Sequence, residues 1–324
     1  MQSSGSLSLL YRQMTYRPQI FTVALVSLVL HCAAAMSSAQ NAPVLTIVTE
    51  PNAIVWLNDV RFGIADKDGK FQFQELPPQH SVLRVRADGF KEASKVILPT
   101  AKGTVNIPLS RTFDPAELAF QEAERLSSED RDLAVAAYKK AIKLKPSYSS
   151  AYVGLARVLY DADDFEQAAK AIKDLRRHVR KGVPEASAIE GRILKDSGAD
   201  VKAIATFKRA ITEGKGFQPE AYTGLGLLYK ERAESAASSA DYEGEKANYS
   251  ESARHLKTAV QQLAGAPDAP VIYQLLGLVY ENQKEYASAI KVYEEFLAKY
   301  PDSSDATAVQ SFIVQLKKQM NSQP

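Results

Sequence analysis

Residues 269–302 read APVIYQLLGLVYENQKEYASAIKVYEEFLAKYPD. Tyr273, Leu276, Gly277 and Tyr280 fall on one face of a first helix. Tyr286, Ala289 and Tyr293 do the same on a second, with Phe296 where a small residue would fit the pattern. Spacings of three and four place such residues on a common stripe. Pro301 closes the second helix, because proline cannot donate the next backbone hydrogen bond and its ring collides with the preceding turn. The stretch is therefore a helical hairpin. Its length of roughly 34 residues is a repeat period that has to be tested along the whole chain.

The same grid fits upstream. Tyr152, Leu155, Ala156, Leu159, Phe165, Ala168 and Ile172 form one unit, and Gly191, Leu194, Ala203, Phe207 and Ala210 the next. Tyr222, Leu225, Gly226 and Tyr229 open another, and Ala123, Ala134, Tyr138, Ala141 and Pro146 form a weaker first one. Five units at these spacings resemble tetratricopeptide (TPR) repeats. In that pattern a Gly or Ala late in the first helix meets a small residue early in the second, so that two backbones approach closely. Aromatic residues fill the space between units. Each hairpin leaves an apolar face that only a neighbour covers, so such units stack into a superhelix with a concave wall. Residues 303–319 are expected to form a final helix that covers the last open face. In the fourth unit, Gly226 and Ser252 stand 26 residues apart, where the repeat expects about 12. The Ala- and Glu-rich insert near 231–251 fits extended helices better than an irregular loop; it is read either as a partner contact or as a tolerated surface extension. Asn248-Tyr249-Ser250 within it matches a glycosylation sequon.

The resemblance implies that the first helix of each pair lines the concave wall. On the grid this directs Arg157, Tyr160 and Asp161, then Arg192, Lys195 and Asp196, then Lys230 and Glu231, then Gln274 and Asn282 toward it. That is a mixed polar groove suited to an extended peptide or a partner helix; the alternative is that these are ordinary charges of exposed helices. The paired Lys and Asn by which some TPR arrays grip peptide carboxyl termini are missing, since Val153 and Arg157 occupy those positions. The basic run Arg176, Arg177, His178, Arg180 and Lys181 falls at the end of a second helix, where positive charge complements the helix dipole; an anionic partner is the competing reading.

The chain ahead of residue 114 has another texture. Leu45, Ile47 and Thr49 alternate, as do Ile54 and Trp56, Val60 and Phe62, Phe71, Phe73 and Glu75, Leu83, Val85 and Ala87, and Val105, Ile107 and Leu109. Period-two alternation places one set of side chains on a buried face. Turn pairs such as Asn58-Asp59, Asp68-Gly69 and Asp88-Gly89 separate the runs, so residues 43–110 are expected to form a β-sandwich of six short strands. Trp56 is expected in its core. The opening Pro51, Ala53, Val55, Leu57 and Asn58, the corner Leu76, Pro78 and His80, and the closing Gly89-Phe90 resemble a PEGA domain. The chain departs from that pattern at Gln79, where glycine is usual, and in lacking a glycine near Asn52. A transthyretin-like or carboxypeptidase-regulatory sandwich is the alternative. His80 has no second histidine nearby and is read as fixing the corner by hydrogen bonding.

The first 39 residues have the order of an export signal: Arg12 and Arg17, an apolar run from Ile20 to Leu30, then Ala33-Ala34-Ala35 and Ser37-Ser38-Ala39. Cleavage near Ala35 or Ala39 is expected, with a retained membrane anchor as the alternative. The single cysteine, Cys32, lies in this segment behind His31, a poor context for lipidation. The charge balance is 40 basic against 38 acidic residues, which gives no broad positive field for a nucleic acid partner. No nucleophile elbow, H-E-x-x-H or phosphate-binding loop occurs, and Gly224-Leu225-Gly226 falls inside a helix rather than after a strand. No catalytic residue, metal or cofactor is expected. The sequence thus describes an α+β multidomain chain, with a small sandwich followed by an all-α TPR solenoid. Its expected role is that of an exported, periplasmic or secreted adaptor for a protein or peptide, with the β domain touching a second partner or the cell surface. A structural factor in outer-membrane or cell-wall assembly, or an accessory subunit of an envelope enzyme, is the alternative.

Overall fold

The computed structural model describes residues 45–76 and 81–322. The N-terminal signal reading and the corner at Pro78, Gln79 and His80 lie outside the described residues. The described residues begin with seven strands: β1 (Leu45–Val48), β2 (Ile54–Leu57), β3 (Val60–Ile64), β4 (Lys70–Phe73), β5 (Ser81–Arg86), β6 (Ala93–Ile97) and β7 (Gly103–Asn106). They form a sheet of order β4-β1-β7 and a second of order β3-β2-β5-β6. All pairs are antiparallel except β1 with β7. Leu45, Ile47 and Phe73 of the first sheet and Val55, Leu57, Leu83 and Val85 of the second are buried. Phe73 meets Phe62 and Phe71 edge to face, with ring centroids 5.1 and 5.0 Å apart, an arrangement the ring quadrupoles favour.

Two sequence expectations fail here. The described residues hold seven strands where the alternation predicts six. β6 was missed because its residues are mostly exposed, so it carries no apolar alternation. The phase of β2 is also reversed. Ala53, Val55 and Leu57 face the core, while Ile54 and Trp56 lie on the opposite face, half-buried. Trp56 is not a core residue: the guanidinium of Arg86 sits 4.6 Å from its ring centroid. The two-residue turn Asn58-Asp59 has positive φ at both positions, 50° and 66°, as a tight hairpin with the right twist requires. The Asn58 side chain pins the turn to β5, accepting from Val82 N at 2.7 Å and donating to Ser81 Oγ at 2.9 Å.

Eleven helices follow among the described residues: α1 (Pro115–Leu126), α2 (Arg131–Leu144), α3 (Ser149–Tyr160), α4 (Phe165–His178), α5 (Pro184–Asp196), α6 (Asp200–Glu213), α7 (Pro219–Ser238), α8 (Tyr242–Gln262), α9 (Ala269–Asn282), α10 (Tyr286–Lys299) and α11 (Ala306–Asn321). Asp114, Asp130, Asp164 and Asp241 cap four of them, each accepting a backbone N–H of the first turn, which satisfies a donor that has no partner inside the helix. Each helix packs on the next, and α3 also touches α5, as α5 touches α7. α3, α5 and α7 therefore lie side by side as one layer of the stack, the first helices that the repeat reading assigns to the concave wall. The insert lengthens one pair: α7 has 20 residues and α8 has 21.

The glycines show why the stack closes. A methyl group added at Gly191 would lie 2.5 Å from the Phe207 ring, and one at Gly224 would lie closer still to the same ring. Gly154 stands in the same relation to Tyr138, and Gly277 to Tyr293. The second-helix aromatic thus seats directly on the backbone of a first helix. The expected meeting of small with small does occur where Ser252 Oγ donates to the buried Gly226 carbonyl at 2.7 Å. At Gly154, Gly191, Gly224 and Gly277, however, the neighbour is a ring.

Candidate partner-binding face

Seven of the ten groove residues named from the sequence lie together on α3, α5 and α7. Arg157 and Arg192 both pair with Glu220, at 2.9 and 3.0 Å. The Arg192 guanidinium also covers the Tyr160 ring at 4.1 Å, a cation–π contact. The Tyr160 hydroxyl donates to the Asp196 carboxylate. Lys195 reaches Asp196 at 2.9 Å and Glu231 at 3.0 Å. Asp161 follows Tyr160 at the end of α3 and feels the charges of Arg192 and Arg157. The result is a ladder of alternating charge crossing three helices. The other three residues stand apart from it. Lys230 pairs with Glu234 one turn along α7 at 2.6 Å. Gln274 donates to Asp305 at 2.9 Å, just ahead of α11. Asn282 is the last residue of α9.

Two family profiles, each described as tetratricopeptide repeat, match residues 125–193 and 273–303. These segments are tetratricopeptide repeats. Yeast Tom70 resembles the chain in fold with a TM-score of 0.50 at 17% identity, over 64% of this chain and 41% of its own. MamA matches at a TM-score of 0.41 and 20% identity, over 59% of this chain and 94% of its own. TTC0263, a thermophilic TPR protein of Thermus thermophilus, matches at a TM-score of 0.45 and 18% identity, over 61% of this chain and 99% of its own. A comparison with curated proteins finds no match. The stretch between the two profile matches contains the lengthened α7–α8 pair, whose two additional spans break the repeat period.

The electrostatics of the TPR ladder centre on Glu220. Burial works against its charge, but Arg157 and Arg192 on either side overcome that and hold the carboxyl at about 2. Glu220 in turn raises the Arg157 guanidinium. Burial pushes the Tyr160 phenol up to about 12 and raises Asp161. Sequence reading missed Glu220, which sits in the first turn of α7, 63 residues from Arg157 and 28 from Arg192. The available signal was an arginine at the same grid position in two consecutive repeats, which needs a shared anion.

Elsewhere the basic run is largely paired. Arg176 bonds Glu190 at 2.5 Å, Arg177 bonds Asp174 at 2.7 Å, and the His178 ring stacks on Tyr152. Gly224 and Gly226 lie inside α7 and serve helix packing. Asn248 is half-buried on α8 and donates to Gly244 O at 2.8 Å. Among the described residues no group of three or more His, Cys, Asp or Glu is placed to hold a metal ion. No described helix is long and apolar enough to cross a membrane.

Proposed function

We propose that this chain is a protein–protein adaptor that takes an extended peptide or helix along the inner layer of its TPR stack. The supporting observation is the ladder Arg157–Glu220–Arg192, continued by Tyr160, Asp196, Lys195 and Glu231. A row of alternating charges on rigid helices offers sites for both the side chains and the backbone of a polar peptide, and fixes its register. The signal-like N-terminus supports a role outside the cytoplasm, in a bacterial envelope or secreted. The PEGA-like opening of the sandwich supports a second contact there, with a partner or the cell surface.

The test is capture of short peptides from a displayed random library. Reversing Arg157 and Arg192 to Glu would crowd carboxylates onto Glu220, so Arg157→Gln with Arg192→Gln is the cleaner variant. Peptides selected on the intact chain are expected to bind the double variant at least about tenfold more weakly, the scale of one or two lost charge-assisted hydrogen bonds. Unchanged affinity, with the helical circular dichroism intact, would reject the ladder as the binding face.

A further inference from the structure

The sandwich does not hang free at one end of the array. Its apolar core runs without a break into that of α8–α11. At that end Lys299 of α10 donates to both carboxylate oxygens of Glu75, at 2.6 and 2.8 Å, although the two residues are 224 positions apart. Gly265, in the turn before α9, lies against Glu75 and Phe62. At the other end the contact is polar. Arg86 is buried between the rings of Trp56 and Phe120, 4.6 Å from each centroid, and pairs with Glu124 of α1 at 2.9 Å. Gln121 of α1 accepts from Gly89 N and donates to Phe90 O, both at 2.8 Å. One small domain thus grips the first helix pair and the last full pair at once.

Between these grips the charge of Asp59, in the β2–β3 turn, is felt at Glu185 of α5. Burial, and then the charge of Asp59, raises the Glu185 carboxyl in the first turn of α5, while Arg84 and Arg157 oppose the shift. Burial raises Asp268, and Arg157 and Arg61 oppose it. Asp59, Arg61 and Arg84 of the sandwich therefore share an electrostatic neighbourhood with Glu185, Arg157 and Asp268 of the array. The ladder's own charges, meanwhile, are satisfied internally.

We infer that the β-sandwich is a clasp across the inner wall of the TPR stack, and that a peptide reaches the ladder only when the contact between the sandwich and the α8–α10 end opens. The sandwich is joined covalently to α1 through residues 107–114, so α1 is the pivot. The α8–α10 contact is the one made across the whole array. This inference rests on the groove reading above, but its test needs no peptide, so the two fail separately.

The test uses the full chain with Cys32→Ser, which removes the single thiol. A reporter thiol is placed by Glu185→Cys, under the turn, and in a control by Lys208→Cys, exposed on α6. Each is labelled with a small maleimide and with a polymer-linked maleimide too large to pass the clasp. The ratio of large-reagent to small-reagent rates at position 185 is expected to fall at least about tenfold below that at position 208, since labelling then waits for local opening. Adding Lys299→Glu should raise the ratio at 185 up to about fivefold, the range for a part-exposed ion pair. Exchanging both charges, Glu75→Lys with Lys299→Glu, should bring it back down. Equal ratios at 185 and 208 would overturn the clasp, and so would a ratio that Lys299→Glu leaves unmoved.

Discussion

Replacing Phe207 by alanine is expected to cost about 3–5 kcal/mol, the usual range for deleting a buried aromatic ring. The ring is fully buried among Ala188, Ala203, Ala210, Ala221, Leu225 and Leu228. It is also the wedge between two backbones, those of Gly191 on α5 and Gly224 on α7. This makes the glycines conditional. In an ordinary helix interior Gly→Ala stabilises by about 1 kcal/mol. Here the added methyl meets the ring, and overpacking of that kind costs about 1–3 kcal/mol. Gly224→Ala is therefore expected to destabilise the intact chain. In the Phe207→Ala background, where the ring no longer stands in the way, the same change should stabilise by up to about 1 kcal/mol. Urea unfolding of the four proteins in a double-mutant cycle reads this sign change. Hydrogen exchange should place the loss in α5–α7, because each repeat touches only its neighbours. If Gly224→Ala stabilised the intact chain, the ring would not be clamped as described.

That clamp also shows what was legible in the sequence. Period and composition located the helix pairs, because small residues and aromatics recur wherever backbones touch, and that recurrence is local. The partner of each glycine was read less well. Spacing identifies a position that must be small, but not whether a methyl or a ring fills the space opposite. The strands follow the same rule. β5 declares itself through Leu83 and Val85, whereas β6 is mostly exposed and shows no pattern. The alternation with Ile54 predicts a core position for Trp56, yet its ring lies on the other face, where Arg86 links it to Phe120 of α1. Contacts made across the array leave no local trace. Neither Glu75 nor Lys299 differs in type or spacing from any solvated charge, so the docking of the sandwich onto the last repeats was not visible. The sequence reading has no contact between the two domains, whereas the sandwich grips α1 through Arg86 and Gln121 and α10 through the Glu75–Lys299 pair.

Glu220→Gln is expected to cost on the order of 2 kcal/mol near neutral pH, and to cost progressively less as the pH falls. The Glu220 carboxyl lies at about 2 in the folded chain against an ordinary 4.5. A depressed acid contributes its stability fully above the unfolded value and loses it as pH falls through the folded one; for Glu220 that window runs from 4.5 down to about 2. The full difference corresponds to a ceiling of about 3 kcal/mol. The Arg157 side chain is 36% exposed, and that of Glu220 only 22%, so solvent screening lowers the figure. Other acids around the ladder act in the opposite sense. Burial raises Asp161, Glu185 and Asp268, and a raised acid contributes stability at low pH that is lost as pH rises through its folded value. The acid profile of the intact chain therefore mixes both signs. The difference between the intact chain and Glu220→Gln isolates the single carboxylate. Without that charge Arg157 and Arg192 lose the carboxylate they share, and their mutual repulsion is less well compensated, so the variant should also gain stability with added salt. Denaturant unfolding near pH 7 and near pH 3, at low and high ionic strength, measures both effects. A gap between the two proteins that stayed the same at both pH values would mean that Glu220 holds α3, α5 and α7 together by packing alone, and that the ladder is not the electrostatic feature on which the adaptor reading depends.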